Sequence, residues 1–335
     1  MSISRRAAQL GSPGRAAHAS RAVTITRRTA LLGGLGLALA GCATGYRGPS
    51  RDVTIAAGEP GGFYLAFAEV LAAEVTRAEP LLRCTAVPTE ASVANVGLVR
   101  DGKADLGLVL ADVAQSALAG AAPFPSPVPL RALGRVYENY LQLVVRAADG
   151  ITSLHALEGR PVSLGANGSG AAQLGERVFG AAGVRVEAQH LQLADAVAAL
   201  AGGSIDALLW SGGVPTPALA DLNRRTPLAL LPLNAVIPQL RAAHGPVYEP
   251  VQVPADAYRG VGAPATIGVA NLLVCSPALP DEVAAAVVRV LAGRAADLVP
   301  AQAVGTQFLD VRTLIGTQPV PLQPGAAETY RALHG

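Results

Sequence analysis

Strand-like and helix-like runs alternate along most of this chain, and that order restricts its fold more than any other feature. The run DVTIAA precedes a helix predicted from about Gly62 to Arg77, and RPVSLGA precedes one predicted from about Ser169 to Ala182. Similar pairs follow, among them ADLGLVL with ADVAQSAL and IDALLWS with TPALADLNRR. This order predicts an α/β fold with mostly parallel sheets flanked by helices. Such sheets bind ligands beyond the carboxyl ends of their strands.

Two extended runs predict how the chain is divided. ENYLQLVVRAADGI follows a proline-rich connector, AAPFPSPVP, and APATIGVANLLVCS comes much later. If each run crosses once between domains, residues 52–140 and 265–335 form lobe I, and residues 141–264 form lobe II. We therefore expect a two-lobed clamshell with a hinge, each lobe a mostly parallel sheet flanked by helices.

The first 41 residues differ in charge from the rest of the chain. They contain six arginines and no Asp or Glu, whereas the remainder holds 20 basic residues (26 minus those six) and 24 acidic ones. After Arg27 and Arg28, the apolar run Ala30–Gly41 has the length of a signal-peptide core and is too short to span a bilayer. Residues 1–41 are therefore predicted to be an export signal.

The sequence Leu39-Ala40-Gly41-Cys42 resembles the lipobox of bacterial lipoproteins. The resemblance implies that Cys42 is lipidated, that residues 42–51 form a linker, and that acyl chains hold the protein on a membrane. The location would be the periplasm or the outer face of the cytoplasmic membrane. The paired arginines also resemble a weak twin-arginine signal, so export by the Sec or the Tat route stays open. An ordinary signal peptide with a chance cysteine is the alternative.

Composition and motifs argue against several other functions. Aromatic residues make up only 4%, and the chain after residue 41 is acidic, which disfavours a nucleic-acid partner. The five histidines are scattered and no CxxC or HExxH occurs, so we expect no metal site. No G-x-S-x-G, Walker A or G-x-G-x-x-G motif is present, so we expect neither an enzyme nor a bound cofactor. Cys84 and Cys275 could pair in an exported protein, although buried free thiols are the favoured interpretation.

Four loops follow strand-like runs and open helices with Gly, Ser, Thr or Asn. Two fall in each predicted lobe, and they are GEPGGFY (Gly58–Tyr64), TEASVAN (Thr89–Asn95), GANGSGA (Gly165–Ala171) and SGGVPTPA (Ser211–Ala218). Helix N-termini carry unpaired N–H groups and about half a positive charge, which suits a carboxylate. For any single loop, capping by Ser92 or Ser169 is the simpler explanation. The set of four favours a cleft in which helix N-termini bind a small acid.

Taken in order, these segments resemble the TAXI family, the solute receptors of tripartite ATP-independent periplasmic (TRAP) transporters. The resemblance extends from about Val53 to Cys275 and rests on four motifs. The matching residues are Gly58, Gly62, Phe63 and Tyr64 in the first; Ser92, Asn95, Gly102 and Asp105 in the second; Leu157, Gly159, Val162, Gly168, Ser169 and Gly170 in the third; and Asp206, Ala207, Gly213, Pro215, Thr216 and Pro217 in the fourth.

The resemblance implies a periplasmic-binding-protein fold of type II that closes over a small organic acid or amino acid. The partners would be that ligand and the membrane subunits of a TRAP transporter. The ligand contacts implied are the side chains of Tyr64, Ser92, Asn95, Ser169 and Thr216, with backbone N–H groups near Gly62 and Gly170.

The implied contacts have structural alternatives. Tyr64 would stack on the ligand or donate its hydroxyl, or it would only pack against the first helix. Asn95 would bind an amide or a second carboxylate of the ligand, or it would bind loop backbone. Trp210 would form a wall of the pocket or belong to the core.

The sequence departs from the family pattern at three positions. Glu90 and Ala91 stand where the second motif usually has two glycines, and Ala171 stands where a threonine often follows. A negative Glu90 near the cleft would favour an amino acid or a mono-anion over a dicarboxylate. Two further functions stay open: a receptor that presents its ligand to a membrane signalling protein, and, with less support, an exported enzyme.

Overall fold

The computed structural model describes residues 45–300 and 309–334. The predicted export signal and Cys42 lie outside the described residues. The part of the chain that begins at Gly45 forms one compact unit.

Ten strands and ten α-helices form within the described ranges. The strands are β1 Arg51–Ala56, β2 Leu82–Val87, β3 Leu106–Leu110, β4 Arg131–Arg146, β5 Pro161–Ser163, β6 Glu187–Gln189, β7 Ala207–Gly212, β8 Leu228–Leu231, β9 Tyr248–Gln252 and β10 Ala265–Cys275. The helices are α1 Phe63–Ala78, α2 Ser92–Arg100, α3 Ala111–Ala119, α4 Gly170–Ala182, α5 Leu193–Gly202, α6 Pro217–Asn223, α7 Ile237–His244, α8 Asp281–Gly293, α9 Val311–Leu314 and α10 Pro324–His334.

The strands form one mixed sheet in the order β2-β1-β3-β10-β4-β7-β5-β6, with β8 beside β4 and β9 beside β10. Strand β1 is parallel to β2 and β3, and β5 is parallel to β6 and β7. The predicted α/β fold with flanking helices is confirmed. The expectation of mostly parallel sheets is wrong at the centre, because β4 and β10 run antiparallel to each other and to β3, β7, β8 and β9.

The two long strands connect two ends of the sheet. Strand β10 pairs with β9 through its first half and with β3 through its second half. Strand β4 pairs with β10 as far as Tyr140 and with β7 from Tyr140 onwards. We call the part with β1–β3, α1 and α2 end I, and the part with β5–β7, α4 and α5 end II. The predicted lobe boundaries at residues 140 and 265 stay a prediction.

Buried side chains cover the sheet in three clusters. One spans both ends, with Val113 of α3 and Leu174 of α4 among its members. A second lies in end I around Phe67 of α1 and Val287 of α8, and a third lies in end II around Leu200 of α5. Since apolar burial contributes roughly 25 cal/mol per Å², the shared cluster holds the two ends against each other.

The helices that position the loops begin close to their predicted residues. Helices α1 and α4 each start one residue after the predicted start. Gly183 ends α4 in the left-handed conformation, with φ 66°, the usual role of glycine just after a helix. Among the described residues, no helix is both long enough and apolar enough to cross a bilayer.

Candidate functional site

A small cavity lies where ends I and II meet beside β4. Its volume is about 30 Å³, room for about one or two water molecules. Five of the seven predicted ligand-binding residues line it: Gly62, Tyr64, Ser92, Ser169 and Gly170. Trp210 lines it as well. A larger solute therefore requires the loops around the cavity to move apart.

The N-terminus of α2 forms one wall of the cavity. Its N-cap is Ala91, which has φ 74° and ψ −145° and makes no side-chain capping bond. The first-turn N–H groups of Val93 and Ala94 donate instead to the carbonyl of Gly168 in end II, at 3.1 and 3.2 Å. The first-turn N–H groups of α2 are thus satisfied by a neutral oxygen from the opposite end of the sheet.

Ser92 is the first residue of α2 and contacts two other elements. Its Oγ accepts a hydrogen bond from the N–H of Leu110 at 3.1 Å and lies 3.2 Å from the hydroxyl of Tyr64. Burial raises the pKa of the Tyr64 hydroxyl, and the hydrogen bond to Ser92 opposes that rise only in part. The tyrosine therefore stays protonated and can act as a hydrogen-bond donor or acceptor.

The N-terminus of α4 forms the facing wall. Ser169 is a true N-cap, because its Oγ accepts the N–H of Ala172 at 3.0 Å. Gly170 follows and packs against end I. A Cβ there would lie 2.7 Å from Leu110 Cδ1 and 2.8 Å from Ser92 Oγ, so the close approach of the two ends requires glycine.

The structure does not bring Asn95 and Thr216 to this cavity. The Asn95 amide donates to the carbonyls of Ala57 and Leu108, at 2.6 and 2.8 Å, and accepts from Thr89. It therefore ties the segment just after β1 to the middle of β3, in line with the alternative of backbone binding that the sequence left open. Thr216 donates to the Gly213 carbonyl at 2.9 Å and lines a separate groove beside α6.

Two acidic residues of the motifs that resemble the TAXI family stabilise the sheet. Asp105 accepts the N–H of Thr54 at 2.9 Å and pairs with Arg51 at 2.5 Å, which joins β1 to the start of β3. Asp206 pairs with Arg146 at 3.5 Å at the start of β7. Both residues hold strands in place, and neither lines the cavity.

Sequence reasoning missed Glu59, which lines the cavity and is 7% exposed. Its Oε2 accepts the N–H of Leu193, the first residue of α5, at 2.8 Å. Burial raises the pKa of the Glu59 carboxyl; the bond from Leu193 lowers it, and the charges of Glu90 and Asp195 raise it further. An acid within a glycine-rich loop was the signal that could have identified it.

Sequence reasoning also missed two asparagines on the long strands, Asn139 and Asn271. They are 1% and 0% exposed, and Asn139 lines the cavity. The Oδ1 of Asn139 and both polar atoms of the Asn271 amide have no hydrogen-bond partner. Amides inside the apolar runs VYENYLQL and GVANLLV were the available signal, since buried polar groups are normally paired.

The two cysteines among the described residues, Cys84 and Cys275, are both free and buried. Burial raises the pKa of each thiol, Cys84 and Cys275 alike, to about 12. Neither is therefore a reactive thiolate at neutral pH. The described residues contain no group of three or more His, Cys, Asp or Glu side chains that could hold a metal ion.

Several solved structures are similar to this chain at low sequence identity. MatC from Rhodopseudomonas palustris, with bound malate, is 15% identical and has a TM-score of 0.51, over 75% of this chain and 90% of that one. The alkanesulfonate-binding protein SsuA from Xanthomonas axonopodis pv. citri, bound to MOPS, is 17% identical with a TM-score of 0.48, over 85% of both chains. A TctC solute-binding protein from Polaromonas is 16% identical with a TM-score of 0.45, over 86% of this chain and 99% of that one.

A family assignment comes from the sequence as a whole. The NMT1-like family model matches residues 55–332, which include all four glycine-rich loops and both long strands. The chain belongs to the NMT1-like family, and it shares the fold of MatC.

Proposed function

We propose that this protein is an extracytoplasmic receptor that binds a small organic acid or amino acid without changing it chemically. The observation that carries the proposal is the position of Ser92 and Gly170. They come from opposite ends of the sheet, and a Cβ on Gly170 would lie 2.8 Å from Ser92 Oγ. The starts of α1, α2 and α4 thus surround one cavity, and each supplies N–H groups suited to a carboxylate.

The charges around the cavity restrict the ligand. Glu59 is the one charged residue among the described residues that line the cavity, and the Glu90 carboxylate lies next to Gly168. Both carboxylates would repel a second negative charge on a ligand. A zwitterionic amino acid or a mono-anion therefore fits better than a dicarboxylate.

A more specific proposal concerns the transport system to which the receptor delivers its ligand. The ordered motifs resemble the TAXI receptors of TRAP transporters, so we propose that the ligand is passed to TRAP membrane subunits. The lipobox-like Leu39–Cys42 supports anchoring through a lipid on Cys42. Uptake would then depend on an ion gradient across the membrane, not on ATP.

A thermal-shift screen of the purified protein with amino acids, oxoacids, hydroxy acids, dicarboxylates and sulfonates tests the binding function. A ligand at a hundredfold excess over its Kd stabilises the folded state by about 2.7 kcal/mol, which a melting curve resolves. Ser169→Trp should fill the cavity and abolish the shift, whereas Ser169→Ala removes the helix cap and one hydroxyl of the site and should only weaken it. A hit that binds Ser169→Trp with unchanged affinity would place the site elsewhere.

Two further experiments test the transport system and the anchor. Uptake of the hit by cells should require this protein, and it should stop when the ion gradient is collapsed while ATP is maintained. Uptake that follows ATP instead would contradict the TRAP assignment. Cys42→Ser should release the protein from the membrane fraction, and retention of that variant would contradict lipid anchoring.

A further inference from the structure

Four polar side chains meet on the β4–β10 side of the cavity, and we call this group the polar floor: Tyr64, Ser92, Asn139 and Asn271. Asn271 lies opposite Leu110 of β3 and Tyr137 of β4 in the strand register. Ser92 bonds to the N–H of that same Leu110, which brings α2 to the same place. The floor is therefore built from α1, α2 and both long strands.

The polar floor has more hydrogen-bonding capacity than it uses. The Asn139 and Asn271 side chains act on the Tyr64 hydroxyl as weak hydrogen-bond partners, and they lower its pKa against the larger effect of burial. Beyond that weak interaction, Asn139 Oδ1 and both polar atoms of the Asn271 amide have no hydrogen bond of ordinary distance and angle. The Asn139 amide nitrogen has one distant partner, Ser211 Oγ at 3.4 Å. Three polar atoms of the floor thus lack an ordinary hydrogen bond, as does Nε1 of Trp210 in the cavity wall.

A buried amide with no partner destabilises a fold, because it has lost its bonds to water and gained none. Asn95 shows how the same chain satisfies a structural asparagine: it too is 0% exposed, yet its amide makes three hydrogen bonds. Asn271 is equally buried, yet beyond a weak interaction with the Tyr64 hydroxyl it makes none. The difference between these two asparagines leaves the Asn271 amide available to a partner outside the protein.

We propose that Asn139 and Asn271 bind an uncharged substituent of the ligand that both donates and accepts hydrogen bonds, such as a hydroxyl or a carboxamide. This inference rests on the proposed solute-binding function. Each asparagine amide presents a donor and an acceptor, so the matching ligand group needs both. The ligand's carboxylate lies at the helix N-termini, and its neutral polar group lies on the polar floor.

The first test needs no ligand and compares Asn271→Leu with Asn95→Leu. Leucine has nearly the shape of asparagine but no polar atoms. Asn271→Leu should leave the melting temperature unchanged or raise it, since it removes unpaired groups. Asn95→Leu should lower it by roughly 5 °C or more, because partners on three elements are left unpaired. An equal loss of melting temperature in both variants would show a structural role for Asn271 and overturn the inference.

The second test uses probes that differ by one neutral polar group: L-serine with L-alanine, L-asparagine with L-2-aminobutyrate, and L-lactate with propionate. The polar member of a pair should bind at least about tenfold more tightly, because a site built for a hydroxyl rejects the analogue that lacks it. Asn271→Leu and Asn139→Leu should each abolish that advantage while the apolar member's affinity changes little.

The outcomes separate this inference from the proposed function. If only charged or apolar probes bind, or if Asn271→Leu keeps the advantage of the polar member, the inference is wrong and solute binding stands. If no compound in the wider thermal-shift screen binds, both fail. Loss of binding by every probe in Asn271→Leu, with the melting temperature unchanged, would instead support the polar floor as the centre of the site.

Discussion

The N-termini of α2 and α4 face each other across the cavity, yet they are satisfied in different ways. In α4 the chain caps itself, because Ser169 accepts the N–H of Ala172. In α2 the N-cap is an alanine with no capping side chain, and two amides donate to Gly168 of the facing loop. The N-terminus of α4 is capped by its own N-cap residue, whereas the N-terminus of α2 depends on the opposite end of the sheet for its hydrogen-bond acceptor.

The difference indicates which helix start is available to a ligand. When the two ends move apart, α4 keeps its cap, whereas α2 loses the Gly168 carbonyl and exposes N–H groups without partners. A carboxylate is a better acceptor for those groups than a neutral carbonyl, since charge-assisted hydrogen bonds are about twice as strong. We expect α2 to contribute more to anion binding than α4.

The largest expected effect comes from the contact that holds the two helix starts together. Gly170→Ala places a methyl group against Leu110 and Ser92 and should destabilise the fold by about 2 kcal/mol, as overpacking does. Its control is Gly180→Ala in the same helix, where a Cβ meets nothing within 4 Å. Alanine is preferred there by about 0.5–1 kcal/mol. Urea unfolding of both variants measures the difference.

If Gly170→Ala lowers the free energy of unfolding and Gly180→Ala raises it, the comparison is sharpened. The loss at Gly170 then comes from contact with the facing residues of end I. Stabilisation by both substitutions would break the comparison, since the two helix starts would then lie farther apart in solution than in this structure.

The cap of α4 gives the next effect. Ser169→Ala removes the bond to Ala172 and should cost about 1 kcal/mol of unfolding free energy. Gln192→Ala is the matched control, since Gln192 is the N-cap of α5 but makes no side-chain capping bond; we expect a change below about 0.5 kcal/mol. Equal losses from both substitutions would mean that the Ser169 hydroxyl contributes no cap, and the contrast with α2 would disappear.

The start of α2 should respond in the opposite direction. Ala91 has φ 74° and ψ −145°, a region that side chains rarely adopt and that costs of order 1–3 kcal/mol. After allowing for the greater freedom of glycine when unfolded, Ala91→Gly should stabilise the protein by about 0.5–1 kcal/mol. Ala94→Gly, three residues later inside α2, should instead destabilise it by about 1 kcal/mol. Calorimetric melting of both variants checks the signs.

The strain at Ala91 also shows where sequence reasoning succeeds and where it stops. The alternation of strands and helices predicted the fold class, and a departure from a glycine pattern marked residue 91 as unusual. The pattern could not tell that Asn95 is tied to three neighbouring segments while Asn271 is unpaired, because both are asparagines within apolar surroundings. Whether a buried asparagine finds hydrogen-bond partners depends on which groups are brought to it by segments that are distant in the sequence. The antiparallel pairing of β4 with β10 was missed for a similar reason, because its direction depends on the path of the chain between the two strands.

Glu59 extends the comparison to a third helix start and gives the smallest effect. Its carboxylate accepts the N–H of Leu193 at the start of α5. The N–H groups at the start of α2 donate only to a neutral carbonyl. Burial still raises the pKa of Glu59, with Glu90 and Asp195 acting the same way, so the folded state binds the Glu59 proton more tightly than the unfolded state does. The free energy of unfolding should therefore fall as pH rises from the ordinary carboxyl range through the raised pKa.

Glu59→Gln keeps an acceptor for Leu193 and should remove this part of the pH dependence. Relative to the unmodified protein, the variant should therefore be more stable at neutral pH than at pH 4. Other buried acids with raised pKa values, such as Asp112, are present in both proteins and cancel in the difference. Urea titrations of both proteins between pH 4 and pH 8 give that difference directly; parallel curves would mean that the start of α5 offsets the burial of Glu59 fully and holds an anion more strongly than α2 can.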